Sequence, residues 1–296
     1  MALLHGIIPP MTTPFDAAGE IDLELLRADV RYLIEEGGVH GLAVGGSTGE
    51  GHTLSAEELR STIQVAVEEA RGRVPIIAGI IVDSTQRAIE YGRAVADLEV
   101  AALQVTPVHY LFKPDDEAMM GFFRDLTETL GRPVLVYNVV PWSYCSPQLL
   151  TRLITEVEGV IGVKQSASDL RALADLLLLL GDGGRILSAV DALLYPSFAL
   201  GAHGAIAAIL TAVPQLCVQL WDAVQAADHT KALKLQRRLL TIWHALEADN
   251  LPANVRYAME LQGRPGGAPR PPMPASSPAQ QTAIRKALVE TGVIAD

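Results

Sequence analysis

Four side chains in this sequence could do covalent chemistry on a carbonyl compound if the fold brought them together: Lys164, Tyr137, Ser47 and Thr48. The run VIGVKQSASDL (160–170) sets Lys164 at the end of a β-branched, apolar stretch. Removing an ammonium from water costs several kcal/mol unless something compensates. Such a lysine can lay its stem on apolar surface and keep its head in water, the commoner outcome at a strand end. It can instead become a neutral amine in an apolar pocket, able to attack a carbonyl and form a Schiff base. Tyr137, in PVLVYNV, can be a buried tyrosine whose hydroxyl simply finds a partner, or the group that moves protons as a carbinolamine loses water. The loop GGSTGEG (45–51) surrounds two hydroxyls with glycines, which suits a carboxylate or an ordinary turn. No Gly-Lys-Ser/Thr follows, so it is not a phosphate-binding loop of the Walker type.

The elements that would position these groups are legible in the hydrophobic pattern. Eight short apolar runs recur: 6–14, 41–46, 75–82, 101–107, 133–139, 160–166, 185–190 and 204–210. They are near-continuous rather than alternating, as in parallel strands buried on both faces. Amphipathic segments fill the gaps, with Asp22 and Ser55 placed to cap two helices and Ser55-Glu58 at capping-box spacing. Eight strands alternating with helices predict a (β/α)8 barrel over residues 1–226, an α/β fold. The rival is a doubly wound open sheet, disfavoured by the missing first-turn G-x-G-x-x-G. Residues 227–296 read as helices only, a C-terminal extension packed on the barrel. The Pro/Gly-rich stretch 263–278 within it could also serve as a flexible linker. In a barrel the C-terminal strand ends line the active site, which is where Lys164, Tyr137 and the 45–51 loop fall.

Bulk properties narrow the function classes. Net charge is −11 with no block of Lys and Arg, so neither nucleic acid nor an anionic membrane is an expected partner. Two cysteines, Cys145 and Cys217, are too few for a disulfide framework. The start MALLHGIIPPMTTPF lacks a basic region followed by an apolar core, so no signal peptide is expected. The longest leucine run, 176–180, is far short of the about 20 residues of a membrane helix. A cytoplasmic protein is the expectation. The seven histidines are scattered and no H-E-x-x-H or paired-Cys spacing occurs, so no metal site is expected.

Taken together, GGSTGEGHTLS (45–55), VTP (105–107), VYNVVP (136–141), GVKQSASDL (162–170) and GAHGAI (201–206) resemble the dihydrodipicolinate synthase/N-acetylneuraminate lyase family of Schiff-base-forming barrels. The resemblance runs from about residue 5 to residue 295. It implies that Lys164 forms the imine, Tyr137 shuttles protons, and Ser47 and Thr48 bind the carboxylate of pyruvate or another 2-oxo acid and relay protons. It implies no cofactor beyond the covalent imine, and a homotetramer built as a dimer of dimers. Tyr110 matches the tyrosine that reaches a neighbouring subunit's site, with His109 as the rival. Gly46 and Ile206 complete the expected substrate-binding set, and His52 is either a surface or capping residue or a substrate contact.

The distal end of the pocket departs from both family types. Dihydrodipicolinate synthases carry an arginine after the Tyr-Asn-x-Pro segment to hold an aldehyde's carboxylate. This chain reads YNVVPWSYCSP, with Trp142, Ser143, Tyr144 and Cys145 there. N-acetylneuraminate lyases carry Gly-x-Asp-Glu after strand seven, where this chain has AVDA, keeping Asp191 and replacing the glutamate by Ala192. The expected activity is a 2-oxo acid aldolase or hydratase-aldolase with an aromatic or aliphatic aldehyde. Dehydration of a 2-keto-3-deoxy sugar acid, or 4-hydroxy-tetrahydrodipicolinate synthesis, would use the same imine. A non-catalytic small-molecule-binding barrel is the alternative from another class.

Overall fold

The computed structural model describes residues 4–296. Eight parallel strands build the sheet: β1 (Gly6–Ile7), β2 (Leu42–Val44), β3 (Ile76–Ile80), β4 (Ala102–Val105), β5 (Val134–Asn138), β6 (Val160–Gln165), β7 (Arg185–Ser188) and β8 (Gly204–Ala205). Their order is β1-β8-β7-β6-β5-β4-β3-β2. The two ends meet: Met11 N–H donates to Ala43 C=O at 2.9 Å, and Ala43 N–H donates to Pro9 C=O at 3.0 Å. The sheet is therefore a closed barrel, and the open-sheet rival falls. The first apolar run forms only two residues of regular strand because Pro9 and Pro10 carry no N–H for the ladder.

Helices alternate with the strands: α1 (Leu23–Glu35), α2 (Ala56–Ala70), α3 (Thr85–Ala94), α4 (Asp116–Leu130), α5 (Pro147–Glu156), α6 (Leu170–Leu180), α7 (Leu194–Ala199), α8 (Ile209–Ala212) and α9 (Pro214–Gln225). The Asp22 carboxylate accepts from Glu24 and Leu25 N–H at the start of α1, and Ser55 and Glu58 form a full capping box on α2. These caps satisfy amides that have no partner inside the helix.

Side chains of the strands divide between two cores. Leu103, Val105, Val134, Val136 and Val163 face the helices. Ile8, Ala43, Ile77, Ala102, Leu135, Leu187 and Ile206 fill the barrel interior and close its floor. Above that plug, toward the C-terminal strand ends, the interior face carries the buried polar side chains Lys164 and Tyr137.

Three further helices follow: α10 (His229–Leu246), α11 (Leu251–Glu260) and α12 (Pro278–Glu290). The Pro/Gly-rich connector between α11 and α12 is held against the barrel, not free of it. Arg264 pairs with Asp29 of α1 at 2.6 Å, Ala268 N–H donates to Phe15 C=O at 2.8 Å, and Arg270 pairs with Glu58 of α2 at 2.5 Å. Among the described residues no helix is long and apolar enough to cross a membrane.

Candidate active site

Lys164 and Tyr137 are register partners on β6 and β5. A register shift between Val134 and Leu135 sets that pairing, as strand irregularities commonly re-aim side chains near sites. Lys164 is 4% exposed, and its Nζ lies 4.0 Å from the centroid of the Tyr137 ring. The sequence alone left a snorkelling head as the commoner outcome; the amine instead sits inside the barrel against an aromatic face. The Tyr137 hydroxyl donates to Ser47 Oγ at 2.8 Å. Tyr137 is buried and Ser47 is exposed, so the pair connects the interior amine to the solvent side of the mouth.

The loop after β2 holds Ser47 and Thr48 at the start of a single 3-10 turn, Ser47–Gly49. The first N–H groups of such a turn have no partner within it. Two glycines make the fold of the loop possible. A β-carbon on Gly51 would stand 1.8 Å from Gly45 O, and one on Gly79 of β3 would stand 2.7 Å from the same atom. Only bare backbone can pass there. Glu50 ends the turn at φ 54°, fully buried, with its carboxylate paired to Arg256 of α11 at 2.7 Å and accepting Arg270 N–H at 3.0 Å. Arg256 in turn donates to Thr13 C=O at 2.6 Å and to Gly266 C=O at 3.1 Å. The C-terminal helices thus fix the loop that presents the two hydroxyls.

Asn138, next to Tyr137, stands in the sequence only as part of a motif, and the structure gives it a physical task. Its carboxamide accepts Cys145 N–H at 2.8 Å, donates to Cys145 C=O at 3.1 Å and to Gln165 Oε1 at 2.9 Å. It therefore locks the residues following Tyr137 and Lys164 to each other. Burial pushes the Cys145 thiol up to about 12, so it is no nucleophile at neutral pH.

The rim is a belt of hydrogen bonds. Asp83 accepts the N–H groups of His109 and Tyr110 at 3.0 and 2.9 Å. Trp142 Nε1 donates to His109 C=O at 2.9 Å, and Ser143 Oγ donates to Val108 C=O at 2.8 Å. Tyr144 donates its hydroxyl to Ser166 C=O at 3.3 Å, which brings it beside the end of β6. Trp142 is 70% exposed and Tyr110 67% exposed, so neither is packed inside this chain's own barrel. Asp191 lies beyond β7, its Oδ1 accepting Ile209 N–H at 2.7 Å at the start of α8. Burial raises its pKa to about 6, opposed by the Ile209 N–H and by the Lys164 charge. Ile206 is part of the interior plug. His52 is exposed and lines a separate cavity of about 670 Å³ with Arg270 and Met273.

Three buried polar groups near these residues have no partner among the described residues: the Gln104 carboxamide in β4, the Thr106 hydroxyl just after it, and the Ser166 hydroxyl after β6. The sequence carried a signal for the first, an amide inside the otherwise apolar ALQV, which hydrophobicity alone reads as strand. Among the described residues no cluster of three or more His, Cys, Asp or Glu side chains could hold a metal ion.

Comparisons with known proteins agree on one family. The sequence profile of the dihydrodipicolinate synthetase family matches residues 3–291. A 4-hydroxy-tetrahydrodipicolinate synthase from Methanopyrus kandleri is 33% identical over 294 residues, covering 98% of this chain and 97% of that protein. Among solved structures, a prophage protein of the dihydrodipicolinic acid synthase family from E. coli K12, in complex with pyruvate, superimposes with a TM-score of 0.93 at 26% identity over 99% of this chain and 100% of that one. N-acetylneuraminate lyase from Fusobacterium nucleatum gives a TM-score of 0.89 at 26% identity over 97% and 98% of the two chains.

Proposed function

The chain belongs to the dihydrodipicolinate synthetase family, and on that footing we propose that it is a lyase acting on pyruvate or another 2-oxo acid through an imine on Lys164. The observation that carries this reading is the Lys164 amine, buried inside the barrel and linked through Tyr137 to Ser47. An unperturbed lysine, with pKa about 10.4, would be almost wholly protonated at neutral pH. The reacting species is the neutral amine, which attacks the 2-oxo carbon and gives a carbinolamine. Tyr137 delivers a proton to the carbinolamine hydroxyl, water leaves, and the nitrogen lone pair completes the C=N bond. Tyr137 recovers its proton along the Ser47 hydroxyl. The protonated imine then accepts electrons from the adjacent carbon, so an enamine forms and a carbon–carbon bond at that position can be made or broken. Ser47 and Thr48 hold the carboxylate at the open end of their turn.

The second substrate meets Trp142, Tyr144, Val190 and Ala192 instead of an arginine. A bidentate, charge-assisted clamp is missing, so we favour an aromatic or aliphatic aldehyde over a carboxylated one. Tyr110 and its exposed neighbours Leu111 and Phe112 are assigned to a contact between copies in a homotetramer, Tyr110 completing the proton relay of a neighbouring site. A cytoplasmic location, the expectation from the sequence, is part of the same proposal.

Borohydride reduction in the presence of pyruvate tests the imine. The expected result is a stable mass increase on the peptide containing Lys164, abolished in Lys164→Arg. A failure of the wild-type protein to form an adduct with any of a panel of 2-oxo acids would favour a non-catalytic binding barrel.

A further inference from the structure

Gln104 stands inside the barrel and takes no part in the chemistry above. On β4 the side chains alternate: Leu103 and Val105 pack on the helices, while Ala102 belongs to the interior plug. Gln104, two residues beyond Ala102, points to the same interior, one step nearer the mouth. It is 0% exposed, yet neither its Nε2 nor its Oε1 has a partner among the described residues. Nine in ten or more buried polar groups do have one. A leucine or methionine would fill this volume without that penalty, so simple packing does not explain the amide. Its surroundings are specific. Gln104 Nε2 lies 3.6 Å from where a β-carbon of Gly46 would stand, directly against the loop of Ser47 and Thr48. Gly79, its register partner on β3, offers no side chain to compete for the space. Thr106, just past the end of the strand, is also buried, with a hydroxyl that has no partner among the described residues.

We infer that Gln104 is a substrate-binding residue, its carboxamide N–H donating to the carboxylate that the Gly46–Thr48 loop receives. The inference rests on the imine reading of Lys164, since it takes the bound acid to be tethered there. A hydrogen bond to a charged acceptor inside a dry site is the kind whose loss weakens binding by about tenfold or more.

Imine trapping on Lys164, titrated with pyruvate, tests it together with the melting temperature of the free protein. In Gln104→Leu the half-saturating pyruvate concentration is expected to rise about tenfold or more, with a melting temperature no lower than wild type. In Gln104→Glu, which keeps the shape, trapping is expected to weaken strongly at pH 8 and to recover relative to wild type near pH 5. There the protonated acid can donate in place of the amide. Unchanged half-saturation in both variants overturns the inference while leaving the imine intact. So does a lower melting temperature in Gln104→Leu with unchanged half-saturation, the outcome for an amide serving only to hold a trapped water. No adduct in the wild-type protein with any 2-oxo acid removes the imine reading itself, and this inference with it.

Discussion

At the scale of single residues, the most consequential electrostatic feature is the Asp191 carboxyl, which interacts with the Lys164 charge. Burial raises the Asp191 pKa from 3.8 to about 6, against the opposing pull of the Ile209 N–H and the Lys164 charge. A folded-state pKa above the unfolded one means that the folded protein prefers the protonated acid. The benefit to stability is complete below about pH 4 and is lost as pH rises through about 6. Asn in place of Asp191 stays neutral at all pH and can still accept from Ile209 N–H. Asp191→Asn is therefore expected to melt like wild type near pH 4 and at a higher temperature at pH 8. Melting curves across that range check it, and a difference that does not vary with pH would refute the assignment. If Lys164 forms the imine, the same substitution removes at pH 8 a negative charge that would favour its protonated form, so trapping and turnover should fall even as stability rises.

At the scale of elements, the loop after β2 depends on a helix that follows the barrel. The Glu50–Arg256 pair is buried on both sides, 1% and 3% exposed, and joins the Ser47–Thr48 turn to α11. Burial alone would lower the Arg256 pKa, and Glu50 opposes that. Removing one member of such a pair strands the other charge, at a cost of about 3–5 kcal/mol. Arg256→Met should lose about that much in urea unfolding, and the double variant Glu50→Gln/Arg256→Met should recover a good part of it. The single variant should also trap pyruvate poorly, because the turn that presents the hydroxyls loses its anchor. Additive effects of the two substitutions would show that the pair does not act as a unit. The Asn138 carboxamide plays a comparable part between the ends of β5 and β6, through Cys145 and Gln165.

At the scale of the molecule, the barrel mouth carries a cluster of apolar side chains in solvent. Tyr110, Leu111, Phe112 and Trp142 are 62–88% exposed, on two loops joined by the Trp142–His109 hydrogen bond. Leu111 holds φ 66° with its side chain outward, a backbone conformation uncommon for leucine. Contiguous exposed apolar groups of this kind mark interaction sites. If the homotetramer forms through them, Leu111→Asp/Phe112→Asp should sediment as a smaller species at micromolar concentration. Unchanged sedimentation would place the contact elsewhere. Turnover should fall in the same variant if Tyr110 serves a neighbouring site.

The order of strands and helices was legible because its signals are local. Apolar runs, caps such as Asp22 and the Ser55–Glu58 box, and a lysine at the end of a β-branched strand each depend on a few adjacent residues. Lys164, Tyr137 and the glycine-rich loop could be picked out for the same reason: their chemistry is unusual for where they stand in the chain. The sequence could not decide whether the Lys164 head reached water. Closure of the sheet between β1 and β2 decided that, by placing the amine above the interior plug and beside the Tyr137 ring. The Glu50–Arg256 pair, the Asn138 lock and the unpartnered Gln104 amide were equally out of reach. Burial and partnership belong to groups that meet only when distant segments pack, and no local pattern encodes which buried amide will be left without a partner.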